Sequence, residues 1–487
     1  MKKAMVPAAV LLLALAVPLL LSIRANGGHF LYTLDDPYIH LALSENIARG
    51  HYGINQNECT APSSSILWPF LLAPLSNLPF SNIVPLFLNT IFALLTVVLI
   101  QRFYRTSSLL FTVVSIFTFN LVGLVLTGME HSLQLFLVTA IAFGTVSFTE
   151  KKTVAPWFAS ALVLAPLVRY ECLAVSLPVL FFLFCSGERK NSVLLFLLIA
   201  ILLGGFSLFL VHLGLNPLPA SVNAKSMVVS GSGSPASIFG NLLVSVKSFR
   251  GIAQLCTLFP LLALLLSSGR AKEEKLLAGA VAVSVVMHLF AGRSGWFHRY
   301  GVYIWAFSIL MTFHLYSASM RRFRVLPALA LLILSADYLS GYCRIASASS
   351  NIYQQQYQMR MFVHEWLKEP VAVNDLGLVS MGYDEYVLDL WGLAVPGALE
   401  GAQNSFWVDS AAIANGVNTA IVYRDEIRGI QHWTQVARME ISPPLVVCAA
   451  GGVDFLAAPW ASPDSLRNLI EGFSLTLPAG INLTVFR

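Results

Sequence analysis

Asp35 and Asp36 open the segment LDDPYIHLALSENIARG and have the clearest capacity for proton transfer in the chain. A carboxylate at a water–lipid boundary, beside a helix N-terminus, is placed to take a proton from a hydroxyl. Pro37 suits the first position of a helix and Gly50 its end. Asp36 therefore reads as the N-cap, accepting backbone N–H bonds. Asp35 then reads as the general base, with a solvated loop acid as the plain alternative. Ile39, Leu43 and Ile47 recur every fourth residue, with His40, Ser44 and Arg49 on other faces. That spacing predicts a short amphipathic helix lying at an interface.

Arg169, in PLVRYECL, ends an apolar run, where a lone charge is costly unless it is paired or snorkels. It either bridges to Glu171 or Glu130 or offers its planar fork to a phosphate. Lys225, His298 and Arg299 are the other cations that would complete a phosphate pocket. Glu130, in TGMEHSL, reads as an acid at a helix N-terminus, with an arginine partner as the second reading. His212, His288 and His314 stand alone and read as structural. The cysteines (Cys59, Cys172, Cys185, Cys256, Cys343 and Cys448) show no CxxC or Cys/His spacing, which argues against a zinc or redox site.

Composition decides what kind of elements must hold these residues. Of 487 residues, 56% are hydrophobic and 11% charged, whereas soluble domains carry about 25% charged residues. That excludes a soluble enzyme, a disordered chain and a disulfide scaffold. A net charge of +5 is too small at this length to suggest a nucleic-acid partner. Apolar runs near 4–23, 82–101, 107–126, 130–149, 154–170, 172–186, 191–213, 252–268, 276–292, 299–318 and 324–341 predict about eleven membrane spans. The stretch 64–80, broken by Pro69, Pro74 and Pro79, predicts a re-entrant or interfacial element.

Basic residues orient these spans. Lys2/Lys3, Arg102/Arg105, Lys151/Lys152, Arg189/Lys190, Arg270/Lys272/Lys275 and Arg321/Arg322/Arg324 all fall on one side, the cytoplasmic one, together with the N-terminus. Asp35, Asp36, Glu130, Arg169, Glu171, Lys225, His298 and Arg299 then share the outer side. No A-x-A site precedes Arg24, so the first span is expected to stay as an anchor.

A transmembrane domain of 1–341 gives way to a different composition over 342–487. There PVAVND, YVLDLW, NTAIVY and PLVVCA read as strands, alternating with helices expected at 352–368, 400–413 and 463–472. The expectation is an α/β domain outside the cytoplasm, in which Cys343 and Cys448 have the chance to pair.

Taken in order, LDDPYIHLALSENIARGHYGIN, SSSILWPFLLAPL, TGMEHSLQLFL, PLVRYECLAVSLPV, LNPLPASVNAK, FHRYGVYIWAF and VAVNDLGLVSMGYDEYVLDLWGL resemble the GT-C superfamily of polytopic glycosyltransferases. The likeness is to its bacterial branch, which includes mycobacterial terminal arabinofuranosyltransferases. Two places depart from the branch pattern: Arg169-Tyr170-Glu171 stands for Arg-Pro-Glu, and LNPLPAS for a Leu-Pro-Asn-Thr segment. The resemblance implies transfer of a sugar, by the inverting route, from a polyprenyl-phosphate donor in the bacterial inner membrane to a cell-envelope glycan, lipid or protein, with the C-terminal domain periplasmic. It implies Asp35 as base with Asp36 second, Arg169, Lys225, His298 and Arg299 at the donor phosphate, and Glu130 and Glu171 in support. Some relatives need a divalent cation and others do not, and two adjacent aspartates are eligible ligands.

Other classes predict different patterns. A transporter or flippase of lipid-linked sugars would carry its charges near mid-membrane, often within paired repeats. An assembly scaffold would not need acids and cations gathered on one face. A ligase of lipid-linked glycans is the nearer alternative.

Overall fold

A computed structural model of the chain describes residues 2–104, 108–225, 234–293, 295, 297, 299–446 and 450–487. Among them, six helices are long and apolar enough to cross a membrane: Met5–Ala25, Ser81–Tyr104, His131–Lys151, Arg189–His212, Phe249–Leu266 and Lys272–Ala291. A helix of 18 residues reaches roughly 27 Å, close to the hydrocarbon thickness. The other expected spans fall on shorter apolar helices, Leu109–Thr118, Pro156–Val168, Tyr170–Cys185 and Val302–Leu315, and on a pair, Val325–Ile333 and Ala336–Cys343, bent by 61°. One cause of shortening is local. The run expected at 107–126 breaks at Asn120, whose φ of 50° is left-handed, before the chain resumes as Leu121–Leu126.

The His131–Lys151 helix is central, with 72% of its apolar window buried, whereas Arg189–His212 has 17% buried and forms a lipid-facing edge. Gly144 lets the central helix approach its neighbour Pro156–Val168. A Cβ at that position would lie 2.3 Å from the Phe158 ring.

The stretch 64–80 holds a six-residue helix, Leu67–Leu72, and a 3₁₀ turn, Ala73–Leu75, tucked against the helix Asp36–Ala48. That helix departs from expectation. Tyr38, Ile39, His40, Leu41, Leu43 and Ser44 are all buried, so it is no amphipathic helix with one wet face. Its polar side is covered: Ser44 donates to the Pro69 carbonyl at 3.0 Å, and His40 Nδ1 lies 3.1 Å from Ser63 Oγ.

Beyond Ala336–Cys343 the chain continues as helical segments from Ile345 to Leu367, with π-helical turns at Tyr353–Tyr357 and Phe362–Leu367. A six-stranded mixed sheet follows, in the order β2-β1-β3-β5-β4-β6. Its strands are β1 (Val371–Val373), β2 (Val387–Asp389), β3 (Thr419–Val422), β4 (Thr434–Glu440), β5 (Gly452–Ala457) and β6 (Asn482–Val485). β2, β1 and β3 are mutually parallel and the remaining pairs antiparallel. The expected helices at 400–413 and 463–472 appear as Ser405–Ala414 and Pro463–Ser474.

Within PLVVCA, residues 444–446 form no strand. Residues 441–446 are irregular, and 447–449 lie outside the described residues, Cys448 and its expected pairing with Cys343 among them. One apolar cluster joins the two halves of the molecule, combining Ile39, Leu43 and Leu167 with Val371, Ile421 and Phe455. The sheet domain is therefore packed onto the bundle.

Candidate functional site

The side chains of Asp35 and Asp36 part where the chain enters its first short helix. The Asp35 carboxylate faces the sheet domain, accepting the N–H groups of Gly377 at 2.7 Å and Leu378 at 2.9 Å. These are unpaired donors at the start of the turn Gly377–Ser380, so Asp35 caps an element more than 300 residues away. A Cβ on residue 377 would stand 2.2 Å from the Asp35 carbonyl oxygen, so the approach requires glycine. Asp375, just after β1, accepts from Gln356 Nε2 at 2.7 Å and from the Tyr423 hydroxyl at 2.5 Å. Burial, then the negative charge of Asp375, pushes the Asp35 carboxyl up to about 8 against the pull of its two N–H bonds.

Asp36 faces the helical bundle instead. Arg299 Nη2 donates to Asp36 Oδ2 at 2.5 Å and to the Tyr300 hydroxyl at 3.0 Å. The expected division of labour is altered at this point. Asp35 takes the N-cap position, without a side-chain cap bond, while the Asp36 carboxylate holds an arginine.

Arg169 is fully engaged by protein groups. Its Nε and Nη2 each reach Glu171 at 2.8 Å, and its Nη1 reaches Glu130 at 2.6 Å and Ser64 Oγ at 3.1 Å. Of its two sequence readings, the ion pair is the one formed. Glu130 sits at the N-cap of His131–Lys151, yet its carboxylate pairs with Arg169 and lies 3.6 Å from His40 Nε2. Glu130 is fully buried, so the pairing is what makes its charge tolerable there. Arg169, Arg293 and Arg299 all approach the Tyr300 ring, at 5.3, 5.5 and 4.9 Å from its centroid. Lys225 closes the short helix Ala220–Lys225. Its side chain, and His298 altogether, lie outside the described residues.

Of these groups, Ser64, Arg169, Glu171, Arg293 and Tyr300 border a cavity of about 360 Å³. Arg169, Arg293, His288 and Tyr300 form its polar end, and Leu173, Leu177 and Met287 its apolar walls. The Tyr303 hydroxyl donates to the Glu171 carbonyl at 2.9 Å and lies 2.9 Å from His288 Nδ1, so His288 belongs to this wall and is not the isolated residue expected. From Leu177 and Met287 an apolar groove of about 720 Å³ continues between the helices Leu173–Cys185 and Lys272–Ala291, past Phe181 and Val283, to Lys272 and Lys275. Cavity and groove meet at Leu177 and Met287, which line both, the first polar at its far end and the second apolar with lysines beyond.

Arg293 and Tyr300 escaped the sequence reading, which took His288 as a lone structural residue. FHRYGVYIWAF carried Tyr300 and Tyr303 at a helix entry, but nothing in the order of residues linked them to His288. His131, buried with neither ring nitrogen hydrogen-bonded, was missed likewise. Among the described residues no three His, Cys, Asp or Glu side chains are arranged to hold a metal ion. The two aspartates do not suit one in this arrangement, since Arg299 stands against Asp36 and both oxygens of Asp35 face N–H donors.

Fold and site together define a polytopic helical chain whose buried charged cluster lies under a mixed-sheet cap. A family model described as a domain of unknown function (DUF8728) matches residues 350–458, and no curated protein matches the chain. Two solved structures resemble it loosely. One is the Archaeoglobus fulgidus oligosaccharyltransferase in a complex with zinc and sulfate, at 12% identity and a TM-score of 0.48, over 93% of this chain and 73% of that one. The other is the archaeal oligosaccharyltransferase AglB from Archaeoglobus fulgidus, in complex with an inhibitory peptide and a dolichol-phosphate, at 11% identity and a TM-score of 0.44, over 93% and 75%. Likeness at this level assigns no residue and no reaction to this chain.

Proposed function

We propose that the protein is a GT-C-type glycosyltransferase that moves a sugar from a polyprenyl-phosphate donor to an envelope glycan, lipid or protein. The observation carrying this reading is the meeting of cavity and groove just described. A lipid phosphate needs an anion site at a membrane boundary joined to a long apolar track, and the cavity and groove supply both in series. In this reading the donor phosphate lies at Arg293 and Tyr300, backed by the Arg169 and Arg299 ion pairs, and the prenyl tail follows Leu177, Phe181 and Val283.

Asp36 is the better-placed base. Its side chain is 17% exposed and oriented by Arg299, whereas Asp35 is spent on the sheet domain. Asp36 takes the proton of the acceptor hydroxyl as that oxygen bonds to the anomeric carbon. The carbon–oxygen bond to the lipid phosphate breaks, and the phosphate leaves with the electron pair, its developing charge met by the arginines. The cap faces the periplasm in this reading, the membrane is the bacterial inner one, and the finer kinship is with the mycobacterial arabinofuranosyltransferases.

The test begins with mass spectrometry of the polyprenyl-phosphate sugars that accumulate when the protein is deleted. The accumulating species is then offered to the purified protein in short-chain form. Transfer that weakens when Leu177→Trp plugs the joint between cavity and groove supports the reading. Absence of any accumulating lipid-phosphate sugar, or transfer indifferent to the plug, refutes it.

A further inference from the structure

A second cavity, of about 220 Å³, opens at the far end of the sheet domain, between Glu369, the first residue of β3, the last of β5 and the start of the helix Pro463–Ser474. β1 and β3 run parallel, and both deliver their C-terminal ends, with Asp375 and Tyr423, to the buried junction with the bundle. The cavity touches Thr419 and Ala457, at the opposite ends of β3 and β5, so it faces away from that junction. Thr419 to Tyr423 is four steps of about 3.3 Å, or roughly 13 Å along the sheet.

Trp460 supplies one wall, and it is 40% exposed. Its ring is fixed in two ways. The indole N–H donates to Asn418 Oδ1 at 3.2 Å, and the ring packs edge-on against buried Trp433, with centroids 5.5 Å apart at 78°. A large apolar ring held in place before a ligand arrives loses little freedom on binding. Around it stand a carboxylate (Glu369), an amide (Asn418) and two hydroxyls (Ser462 and Ser465). An aromatic face carries negative quadrupole charge, which suits the weakly positive C–H face of a sugar ring. The surrounding amide, carboxylate and hydroxyls suit its hydroxyl groups.

A peptide fits this place less well. Extended peptides add to a free strand edge, but β3 and β5 are each paired on both sides, and the sheet edges are β2 and β6. We propose that this cavity binds one neutral sugar ring of a glycan, at a distance from the reaction centre. The site would hold a remote unit of a long acceptor while its growing end reaches the bundle. That use rests on the transferase reading; the binding itself does not.

The experiment uses the full chain in detergent and defined hexasaccharides of arabinofuranose, mannose, galactose and glucose at millimolar concentration. At least one should bind. Trp460→Ala should weaken it on the order of tenfold, as for loss of an aromatic anchor, and Trp460→Phe should restore most of it. Ser465→Trp, which fills the cavity from a solvent-facing helix turn, should abolish binding even if Trp460→Ala misfolds. Transfer to a monosaccharide acceptor should be unchanged in Ser465→Trp. Binding that depends on Trp460 in a protein with no transferase activity would uphold the sugar site while the transferase reading fell. No bound hexasaccharide, binding indifferent to both substitutions, or preferential retention of a peptide library in a Trp460-dependent manner would overturn the proposal.

Discussion

Two adjacent aspartates with opposite allegiances carry the proposed chemistry at the residue scale. Asp36→Asn keeps an acceptor for Arg299 but removes the proton acceptor, so turnover should fall on the order of 10²–10⁴-fold with donor binding retained. Transfer from a short-chain donor by purified protein measures this. Near-normal Asp36→Asn beside a dead, folded Asp35→Asn would return the base to Asp35.

Asp35 makes a different prediction. Its carboxyl is pushed up to about 8 in the folded protein, against about 3.9 for an unfolded chain. The folded state therefore holds this proton more tightly, and the contribution is complete below about pH 4, then lost as pH rises towards 8. Melting temperature should fall between pH 5 and pH 8 through this group. Asp35→Asn, which cannot titrate, should flatten that part of the profile, and an unchanged slope would remove Asp35 as its source.

The element scale is governed by how charge is carried between helices. Arg169 ties the loop before Leu173–Cys185 to the start of His131–Lys151 and to Ser64 of the first long loop. Lysine has one point charge and cannot serve Glu171 and Glu130 with a fork. Arg169→Lys therefore leaves a buried carboxylate poorly paired, with a cost of about 3–5 kcal/mol expected for a broken buried pair. A thermal shift in detergent reads it. Loss of donor affinity with an unshifted melting temperature would instead make Arg169 a phosphate ligand first. Packing gives a second prediction: Gly144→Val would push a side chain into Phe158 and cost about 1–3 kcal/mol, visible in the same measurement.

At the scale of the whole molecule, the sheet domain is a cap seated on the bundle through Gly377 and the cluster around Ile39, Leu43, Val371 and Ile421. Gly377→Val has no room against the Asp35 carbonyl. It should loosen the cap without unfolding its sheet, so limited proteolysis should cut between the halves while each fragment stays protease-resistant. The side of the membrane on which the cap lies is checked by alkaline phosphatase fusions. Activity at residue 487 and none near Arg270 is expected, and the reverse would place the cap in the cytoplasm.

Much of the architecture was legible before any coordinates. The apolar excess demands helices in lipid, because no single core could bury it. Three of the four runs read as strands appear as β1, β2 and β3, since continuous apolar runs between turn residues mark buried parallel strands. β4, whose polar and apolar residues mix and whose ladder is interrupted between Gln435 and Ala437, was not picked out. The motifs around Asp35, Glu130, Arg169 and Arg299 were legible too, because an isolated charge beside an apolar run stands out by its cost.

What each of those residues holds was decided only by the tertiary structure. The partners of Asp35 are backbone N–H groups more than 300 positions away, and backbone groups leave no mark in residue types. The cover over the Asp36–Ala48 helix comes from distant chain, so its local pattern suggested a wet face that the fold closes. Arg169 meets Tyr300, and the Tyr303 hydroxyl meets the Glu171 carbonyl, only because segments far apart in sequence end at the same height. Local periodicity fixes which residues form helices and strands. Which charges meet depends on where those elements pack.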